Sequence, residues 1–349
     1  MRKTLSTIAI AAAFFCSCDK DAGLSPCQEE RGTLTVSLDF EEDPLTRATT
    51  YVEAQDYETA VNRVQVLVFD SSGALNSYVD AGKSTGSISI STTTGSKTVW
   101  AVVNGPDLSA AKTITNVQNK AIEMNDNGTT TTKGFVMSGY ASCTVSSNTS
   151  TVSIPVKRHL ARVALQKVTN SLPASYGSIT IDNVMLTNVV GDQNFAGTAA
   201  VRNWLNKMGR KSGATVSSMI IDGNSYYATN PELTFDKIGA ELANGASHSP
   251  STPYLLYGYP NSTSTDATGW AINFTARKTR LVVTAIINGT KYYYPITIDS
   301  PVRNTAYTVE LTITGIGSND PDKPVEKGAL SASISIEGWQ TGTVYDETI

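Results

Sequence analysis

Residues 330–337 read Leu-Ser-Ala-Ser-Ile-Ser-Ile-Glu. Apolar and polar side chains alternate along this stretch, which is typical of a β-strand with one buried face. The polar segment 317–324, which contains two prolines, separates the strand from the preceding sequence. A strand on such a linker can fold back as the edge of its own sheet, or it can complete the sheet of another molecule. The fold and the function both depend on which of these occurs.

A second isolated strand with the same pattern lies near the N-terminus. Residues 33–40 read Thr-Leu-Thr-Val-Ser-Leu-Asp-Phe, and an acidic, proline-containing turn follows them. Each strand places four apolar side chains on one face, so that either could fill one row of pockets. These side chains are Leu34, Val36, Leu38 and Phe40 in the first strand and Leu330, Ala332, Ile334 and Ile336 in the last. Trp339 is out of phase with them, but a bulge at Gly338 would turn it to the same face.

The composition is that of a β-rich exported protein. Thr, Ser, Gly and Asn are abundant, and Val, Ile and Tyr alternate with them, as in extracellular β proteins. The net charge of −4 on 349 residues argues against a nucleic-acid surface or a polybasic membrane patch. The length is sufficient for two domains with separate cores.

The N-terminus has the form of an export signal. Two basic residues precede the apolar segment 8–15, which is too short to span a bilayer. The following Ser17-Cys18 resembles a bacterial lipoprotein signal, in which a small residue precedes the cysteine that receives the lipid. Cys18 is therefore the predicted acceptor. Lipidation of Cys16 and an ordinary secretory signal are the alternatives.

The cysteines do not form a disulfide framework. Of the four, Cys16, Cys18 and Cys27 lie in or near the signal, and only Cys143 lies in the body of the protein. An exported chain of this kind depends on its β cores for stability. Cys143 is expected to be a small buried hydrophobic residue.

Strand patterns mixed with short helices predict a mostly β fold with two β-sandwich domains in tandem, of transthyretin-like or Greek-key type. Asn288-Gly289 between two alternating runs predicts a two-residue hairpin. The predicted helices cover residues 53–61, 108–124 and 201–209. The predicted strands of the body cover residues 64–69, 87–91, 98–104, 135–138, 151–156, 161–168, 178–187, 270–274, 279–288, 291–298 and 307–314.

The chain resembles the fimbrillins, a family of pilin-like lipoproteins of Bacteroidales that includes FimA-type and Mfa-type shaft subunits. The motifs that carry this resemblance run through nearly the whole chain. They are Val66-Leu-Val-Phe-Asp70 with Gly73, Phe135-Val-Met-Ser-Gly139, Val156-Lys-Arg-His-Leu-Ala-Arg-Val163, Tyr257-Gly-Tyr-Pro-Asn261, Arg303-Asn-Thr-Ala-Tyr307, Thr312-Ile-Thr-Gly-Ile-Gly317 and the tail strand that ends in Trp339.

The resemblance implies a maturation pathway. Precursors of this family are exported as lipoproteins to the outer membrane, and an arginine-specific protease then cuts after the first strand. The groove that this strand leaves is filled by the C-terminal strand of the neighbouring subunit. The matching bond in this chain is Arg47–Ala48, which lies in a polar segment suited to proteolysis.

The same resemblance divides the chain into five parts. They are a signal peptide (1–18), a lipidated propeptide with the plug strand 33–40 (19–47), an N-terminal β-sandwich (48–157), a C-terminal β-sandwich (158–317) and a linker with the C-terminal donor strand (318–349).

Nothing in the sequence indicates catalysis, a metal or a cofactor. The chain has no glycine-rich phosphate loop, zinc-ligand spacing or nucleophile elbow. Its two histidines are His159, for which a structural role is expected, and His248. The acidic residues Asp320 and Asp322 are expected to lie in a solvated turn rather than to bind calcium.

The leading hypothesis is therefore a structural shaft subunit of a surface fimbria that supports adhesion. Its expected partners are other copies of itself, related fimbrial subunits, the maturation protease, the outer membrane before cleavage, and host or bacterial surface ligands. A donor strand at one end and an acceptor groove at the other give a head-to-tail contact, which builds filaments. The alternatives are a tip or anchor subunit of the same family and a non-polymerising surface lipoprotein that binds a glycan or another ligand.

Overall fold

A computed structural model of the chain describes residues 30–40, 52, 54–208, 231–264, 266, 276–323, 325, 329–338 and 345–348. The predicted lipidation site Cys18, the cleavage bond Arg47–Ala48, Trp339 and the predicted strand 270–274 lie outside these residues. All described peptide bonds are trans.

Among the described residues, the first half contains two short α-helices, a 3-10 helix at Met124–Asp126 and eight strands. The α-helices are α1 (Asp56–Thr59) and α2 (Ile114–Gln118). The strands are β1 (Arg31–Phe40), β2 (Val64–Phe69), β3 (Leu75–Asp80), β4 (Ile88–Thr93), β5 (Gly95–Val103), β6 (Ala121–Glu123), β7 (Met137–Val145) and β8 (Thr149–Arg158).

The second half of the described chain contains one short α-helix, α3 (Pro231–Thr234), a 3-10 helix at Ala174–Tyr176 and the remaining strands. These are β9 (Ala161–Asn170), β10 (Ile179–Thr187), β11 (Val189–Val190), β12 (Asp192–Asn194), β13 (Trp204–Leu205), β14 (Phe235–Leu242), β15 (Ser247–His248), β16 (Tyr254–Gly258), β17 (Arg280–Ile287), β18 (Thr290–Thr297), β19 (Thr305–Ile313), β20 (Leu330–Gly338) and β21 (Tyr345–Thr348).

The first half forms a curled seven-stranded sheet with the strand order β3-β2-β5-β7-β8-β1-β4. Its two edge strands approach each other, because the Ser77 hydroxyl donates to the Ser91 carbonyl at 2.8 Å and the Thr93 amide donates to the Asn76 side chain at 3.0 Å. The curl encloses an apolar core. This core consists of Leu34, Val36, Val64, Val66, Val68, Ile88, Ile90, Val99, Ala101, Val103, Met137, Val145, Val152, Ile154 and Val156.

The second half forms a sandwich of two sheets. One has the order β14-β10-β17-β18, and the other has the order β15-β9-β19-β20-β21, with β16 also paired to β9. Ile181 and Leu281 of the first sheet share one core with Leu165 and Val309 of the second. The same core reaches Trp100 on the outer face of β5, so the two halves pack against each other.

The mostly β class and the β-sandwich construction are confirmed. The proposed domain boundaries stay predictions. The Asn288-Gly289 hairpin has positive φ angles of 49° and 75° at its two central residues, as a type I′ turn requires.

The predicted helices were too long. α1 occupies only part of 53–61, and α2 occupies five residues of 108–124. The Thr113 hydroxyl caps α2 by accepting from the Asn116 amide at 3.2 Å, and β6 begins at Ala121. The helix predicted from residue 201 is wrong over its described part, where Trp204 and Leu205 form β13 instead.

Several strands differ from the predictions because their partners are distant in sequence. β7 runs to Val145, well past the predicted end at residue 138, since it pairs with the whole of β5. β3, β14 and β16 were not predicted. Cys143 on β7 is half-buried rather than buried, and burial raises the pKa of its thiol.

Candidate strand-exchange site

The predicted plug strand is β1, which lies inside the curled sheet. It pairs in parallel with β8 and antiparallel with β4. Leu34 and Val36 are completely buried, whereas Leu38 and Phe40 are half-buried. Because both neighbours of β1 come from later in the chain, removing it would leave a groove with apolar walls and two rows of unpaired backbone groups. We call the space between β8 and β4 the β1 groove.

One end of the β1 groove requires a glycine. A Cβ atom on Gly32 would overlap the carbonyl oxygen of Ser146, in the turn between β7 and β8, and would lie 3.2 Å from the carbonyl oxygen of Asn148. Both obstacles are backbone atoms, which cannot rotate away as the end of a side chain can. Any strand that fills the full length of the β1 groove therefore needs glycine at this point.

A cavity of about 350 Å³ lies at the other end of the β1 groove. A second cavity of about 480 Å³, near β9, is separate from the groove. The cavity in the groove is bounded by Phe40 of β1, Val61, Met137, Val156 and other residues. Phe40 covers this cavity only in part, since its side chain is half-buried. The groove therefore has room for a larger apolar group at this end.

The segment after β1 is fixed to the second half of the molecule by a buried ion pair. The Arg162 guanidinium contacts the Glu58 carboxylate at 3.0 Å and also donates to the Val52 carbonyl at 2.6 Å. The Tyr257 hydroxyl donates to the same carboxylate at 2.7 Å, and Arg158 donates to the Glu58 carbonyl at 2.7 Å. Burial and the nearby Glu58 charge raise the pKa of Tyr257 well above its usual value. Val52 and Glu58 are thus anchored by contacts that do not involve β1.

The tail strand is β20, and in this chain it folds back on its own sheet. It pairs antiparallel with β19 along its whole length, with Ile334 opposite Val309 and Leu330 opposite Ile313. Ala332 and Ile334 are each 6% exposed, and Leu330 and Ile336 pack against the core from half-buried positions. The tail strand folds back in the single chain because β19 offers it a complete partner. Its donation to another subunit stays a prediction.

The segment before the tail strand is packed, contrary to the prediction of a polar linker with a solvated turn. Asp320 is fully buried, and the Asp322 carboxylate contacts Arg277 at 2.9 Å and Arg280 at 2.6 Å. The Ser318 amide pairs with the Tyr293 carbonyl at 2.9 Å. The sequence could not show this, because the two arginine partners lie more than forty residues earlier in the chain.

His159 has the expected structural role at the junction of the two halves. Its Nδ1 accepts from the Gln193 amide at 2.7 Å, so its Nε2 donates to the Ser138 hydroxyl at 2.7 Å. Burial, together with the Arg303 charge, lowers the pKa of His159 well below 6.5. The imidazole is therefore neutral at physiological pH. No group of described His, Cys, Asp and Glu residues could hold a metal ion.

Sequence analysis missed a close correspondence between the segment of β1 and the segment of the tail strand. Residues 30–41 read Glu-Arg-Gly-Thr-Leu-Thr-Val-Ser-Leu-Asp-Phe-Glu, and residues 326–337 read Glu-Lys-Gly-Ala-Leu-Ser-Ala-Ser-Ile-Ser-Ile-Glu. Aligned without a gap, five positions are identical and the others are mostly similar in character. Gly328 stands where β1 has Gly32. A direct comparison of the segments would have revealed this signal, but only the structure shows why the glycine matters.

Comparison with known proteins identifies the fold. A candidate cell adhesion protein from Bacteroides eggerthii is 20% identical, with a TM-score of 0.62 over 89% of this chain and 97% of that one. A fimbrilin (FimA) from Porphyromonas gingivalis W83 is 13% identical, with a TM-score of 0.61 over 90% of this chain and 99% of that one. The tip fimbrial protein Mfa3 from Porphyromonas gingivalis, with a C-terminal truncation, is 15% identical, with a TM-score of 0.50 over 88% and 99%.

The curled sheet and the sandwich therefore define a β-sandwich protein of the fimbrilin type. The family model of the major fimbrial subunit protein (FimA) matches residues 33–235, which is more than half of the chain. The chain belongs to this FimA family. No curated protein matches it.

Membership of this family supports a role as a pilin, and it implies association with other fimbrial subunits in a fimbrium at the cell surface. Within the described residues, the helices are too short or too polar to cross a membrane.

Proposed function

We propose that this chain is the shaft subunit of a surface fimbria and that it polymerises by strand exchange. The precursor is lipidated on Cys18, and an arginine-specific protease cuts it between Arg47 and Ala48. β1 then leaves the β1 groove, and residues 326–337 of a neighbouring subunit take its place. The contact is head-to-tail, so each added subunit presents a new groove and a filament results.

The observation that carries this proposal is the correspondence between residues 30–41 and 326–337. If the tail enters the β1 groove in the direction of β1, Leu330, Ala332 and Ile334 take the positions of Leu34, Val36 and Leu38. Gly328 then takes the position of Gly32, where a Cβ would overlap the Ser146 carbonyl. Main-chain hydrogen bonds to β8 and β4 supply affinity, and the matched side chains supply specificity.

The end of the groove near Phe40 fits the remaining donor residues. In this register Ile336 replaces the larger Phe40, which enlarges the cavity of about 350 Å³. Trp339 follows three residues later and is the donor side chain large enough to fill the added space. A bulge at Gly338 would bring its indole to the apolar face. Filling this cavity would stabilise the contact at about 25 cal/mol for each Å² of apolar surface buried.

The placement of the cleavage bond supports the same pathway. Arg47 and Ala48 lie between β1, which ends at Phe40, and the anchored segment that begins at Val52. Cutting this bond removes the covalent link between β1 and the body, while the Glu58–Arg162 ion pair keeps the new N-terminal segment in place. Loss of β1 would also separate the body from the lipidated segment.

Limited proteolysis tests the proposal. The uncleaved chain is treated with a low dose of trypsin, and filaments are sought by gel electrophoresis and electron microscopy. We expect a product that starts at Ala48 and assembles into ladders. A correctly cut product that stays monomeric under all conditions would contradict a shaft role. Resistance of the bond to cleavage would favour an anchor subunit.

A glycine variant tests the register separately. Gly328→Val should block assembly, because valine cannot occupy the Gly32 position beside the Ser146 carbonyl. Ser331→Val is the matched control, since it adds the same side chain at an exposed tail position. Equal filament yields from both variants would contradict the proposed register while leaving strand exchange itself intact.

A further inference from the structure

A stacked aromatic pair lies on the outer face of the curled sheet, away from the β1 groove. Trp100 of β5 and Tyr140 of β7 are cross-strand partners, with ring centroids 5.0 Å apart and an interplanar angle of 19°. Trp100 is buried, whereas Tyr140 is 60% exposed. The outer face of the Tyr140 ring is thus open to solvent and held rigid by the ring beneath it.

A notch in the sheet opens beside this aromatic pair. β7 and β8 pair only at Met137–Arg158 and Ser138–Lys157. Pro155 lacks the amide hydrogen that would continue the ladder, and its carbonyl oxygen lies against the backbone of Gly139. The resulting cavity has a volume of about 240 Å³. Its lining residues are Trp100, Ser138, Gly139, Tyr140, Pro155, Lys157, Phe195 and Arg303.

Arg303 supplies a fixed positive charge to this cavity. Its guanidinium donates to the carbonyls of Arg158, Lys157 and Ser138 at 3.1, 2.8 and 3.2 Å, through Nε and Nη2. The backbone amide of the next residue, Asn304, donates a hydrogen bond to the Leu160 carbonyl at 2.9 Å. Within the described part of the chain, no carboxylate pairs with Arg303 and its Nη1 has no hydrogen-bond partner.

The charge of Arg303 is therefore uncompensated. Burial lowers its pKa to about 10, and no neighbouring anion opposes this shift. The guanidinium still carries its charge at physiological pH. A buried or half-buried cation without a counter-ion gains more from an anionic ligand than a fully hydrated one does. Lys157 adds a second positive group on the exposed side of the same cavity.

We propose that this notch binds a sugar ring that carries a carboxylate, as in a uronic or sialic acid residue of a glycan. The carboxylate accepts a hydrogen bond from Arg303 Nη1, and the positive charge of Lys157 lies beside it. The apolar C–H face of the sugar ring packs on the exposed face of Tyr140, whose π system is negative. Phe195 and Pro155 close the remaining sides of the cavity. The cavity opens on the outer face of the curled sheet, although its residues Pro155 and Lys157 lie on β8, which also borders the β1 groove.

Calorimetric titration of the full chain tests the site directly. The probes are glucuronic acid and N-acetylneuraminic acid, with glucose, N-acetylglucosamine and acetate as comparison ligands. Loss of one charge-assisted hydrogen bond weakens binding roughly tenfold or more. We therefore expect at least one acidic sugar to bind about tenfold more tightly than the neutral sugars and than acetate, and to bind more weakly as salt is added. The two acidic probes distinguish a uronic acid site from a sialic acid site.

Two variants complete the test. Tyr140→Ala removes an exposed ring and should weaken binding of the acidic sugar about tenfold, as loss of a stacking contact does. Val302→Ala is the control, because Val302 is 55% exposed and lies next to Arg303 without lining the cavity. Equal affinity for neutral and acidic sugars, no binding of either acid, or unchanged binding by Tyr140→Ala would each overturn the proposal. None of these results would affect the proposed polymerisation.

Discussion

β1 and β20 have closely similar sequences, but the molecule holds them in different ways. β1 lies between β8, which pairs with eight of its residues, and β4, which pairs with six, and its Leu34 and Val36 are completely buried. β20 pairs along its whole length with β19. On its other side, β21 pairs with only four of its residues. A strand with one full partner is easier to release than a strand with two. The proposed strand exchange needs this difference, because β1 has to keep its own groove closed while β20 is released to a neighbouring subunit.

The largest expected effect on the difference between β1 and β20 comes from a charged residue in the middle of β1. Val36→Asp in the uncleaved chain should destabilise the curled sheet by about 4 kcal/mol or more, because the carboxylate has no partner in the apolar core. Chemical denaturation measures the loss. Thr33→Asp, at an exposed position on the same strand, is the control and should have little effect. Equal stability of the two variants would show that β1 is not part of the folded core.

The corresponding charge in β20 should act on assembly. Ile334→Asp places a carboxylate in a position that is apolar both in β20 and, in the proposed register, at Leu38 of the β1 groove. We expect no filaments, with a monomer whose curled sheet unfolds at an unchanged denaturant concentration. Filament yield after cleavage is the measurement, and the exposed Ser333→Asp is the control. Normal filaments from Ile334→Asp would show that β20 is not the donor.

The buried ion pair between Glu58 and Arg162 holds the segment that follows β1 in sequence. Glu58→Gln removes the negative partner of Arg162 in a fully buried pair and should lower the free energy of unfolding by about 3 kcal/mol, since an uncompensated buried charge remains. Asp56→Asn, on the exposed side of α1, provides the comparison. If Glu58→Gln is as stable as the parent chain, the ion pair does not hold this segment.

The smallest expected effect concerns the junction at His159. The folded state lowers the pKa of this histidine, so the unfolded state binds more protons as the pH falls below about 6.5. His159 thus contributes stability that is present above pH 6.5 and is lost as the pH decreases, with a slope of up to about 1.4 kcal/mol per pH unit. His159→Gln should flatten this part of the stability curve. Identical slopes between pH 5 and 7 in both proteins would contradict a buried neutral imidazole.

The sequence predicted the parts of the fold that depend on local pattern. Alternation predicted β1 and β20, and Asn288-Gly289 predicted its turn, because the signal for each lies within a few residues. The register and the packing could not be predicted in this way. The glycine requirement at Gly32 comes from Ser146, and the burial of Asp322 comes from Arg277 and Arg280. Both depend on residues that are distant in sequence and meet only in the folded chain.

Cysteine pairing in assembled filaments tests the central claim most directly. Thr35 of β1 lies opposite Ser89 of β4, and Ser331 takes the position of Thr35 in the proposed register. The double variant Ser89→Cys/Ser331→Cys, with Cys143→Ser to remove the remaining thiol of the body, should therefore form disulfides between neighbouring subunits after cleavage. Ser89→Cys/Ser333→Cys, shifted by two residues, lies outside the usual Cα separation of about 4.4–6.8 Å for a disulfide. A covalent ladder from the first pair and not the second is the predicted result; a ladder from the second alone, or filaments without any ladder, would contradict the account.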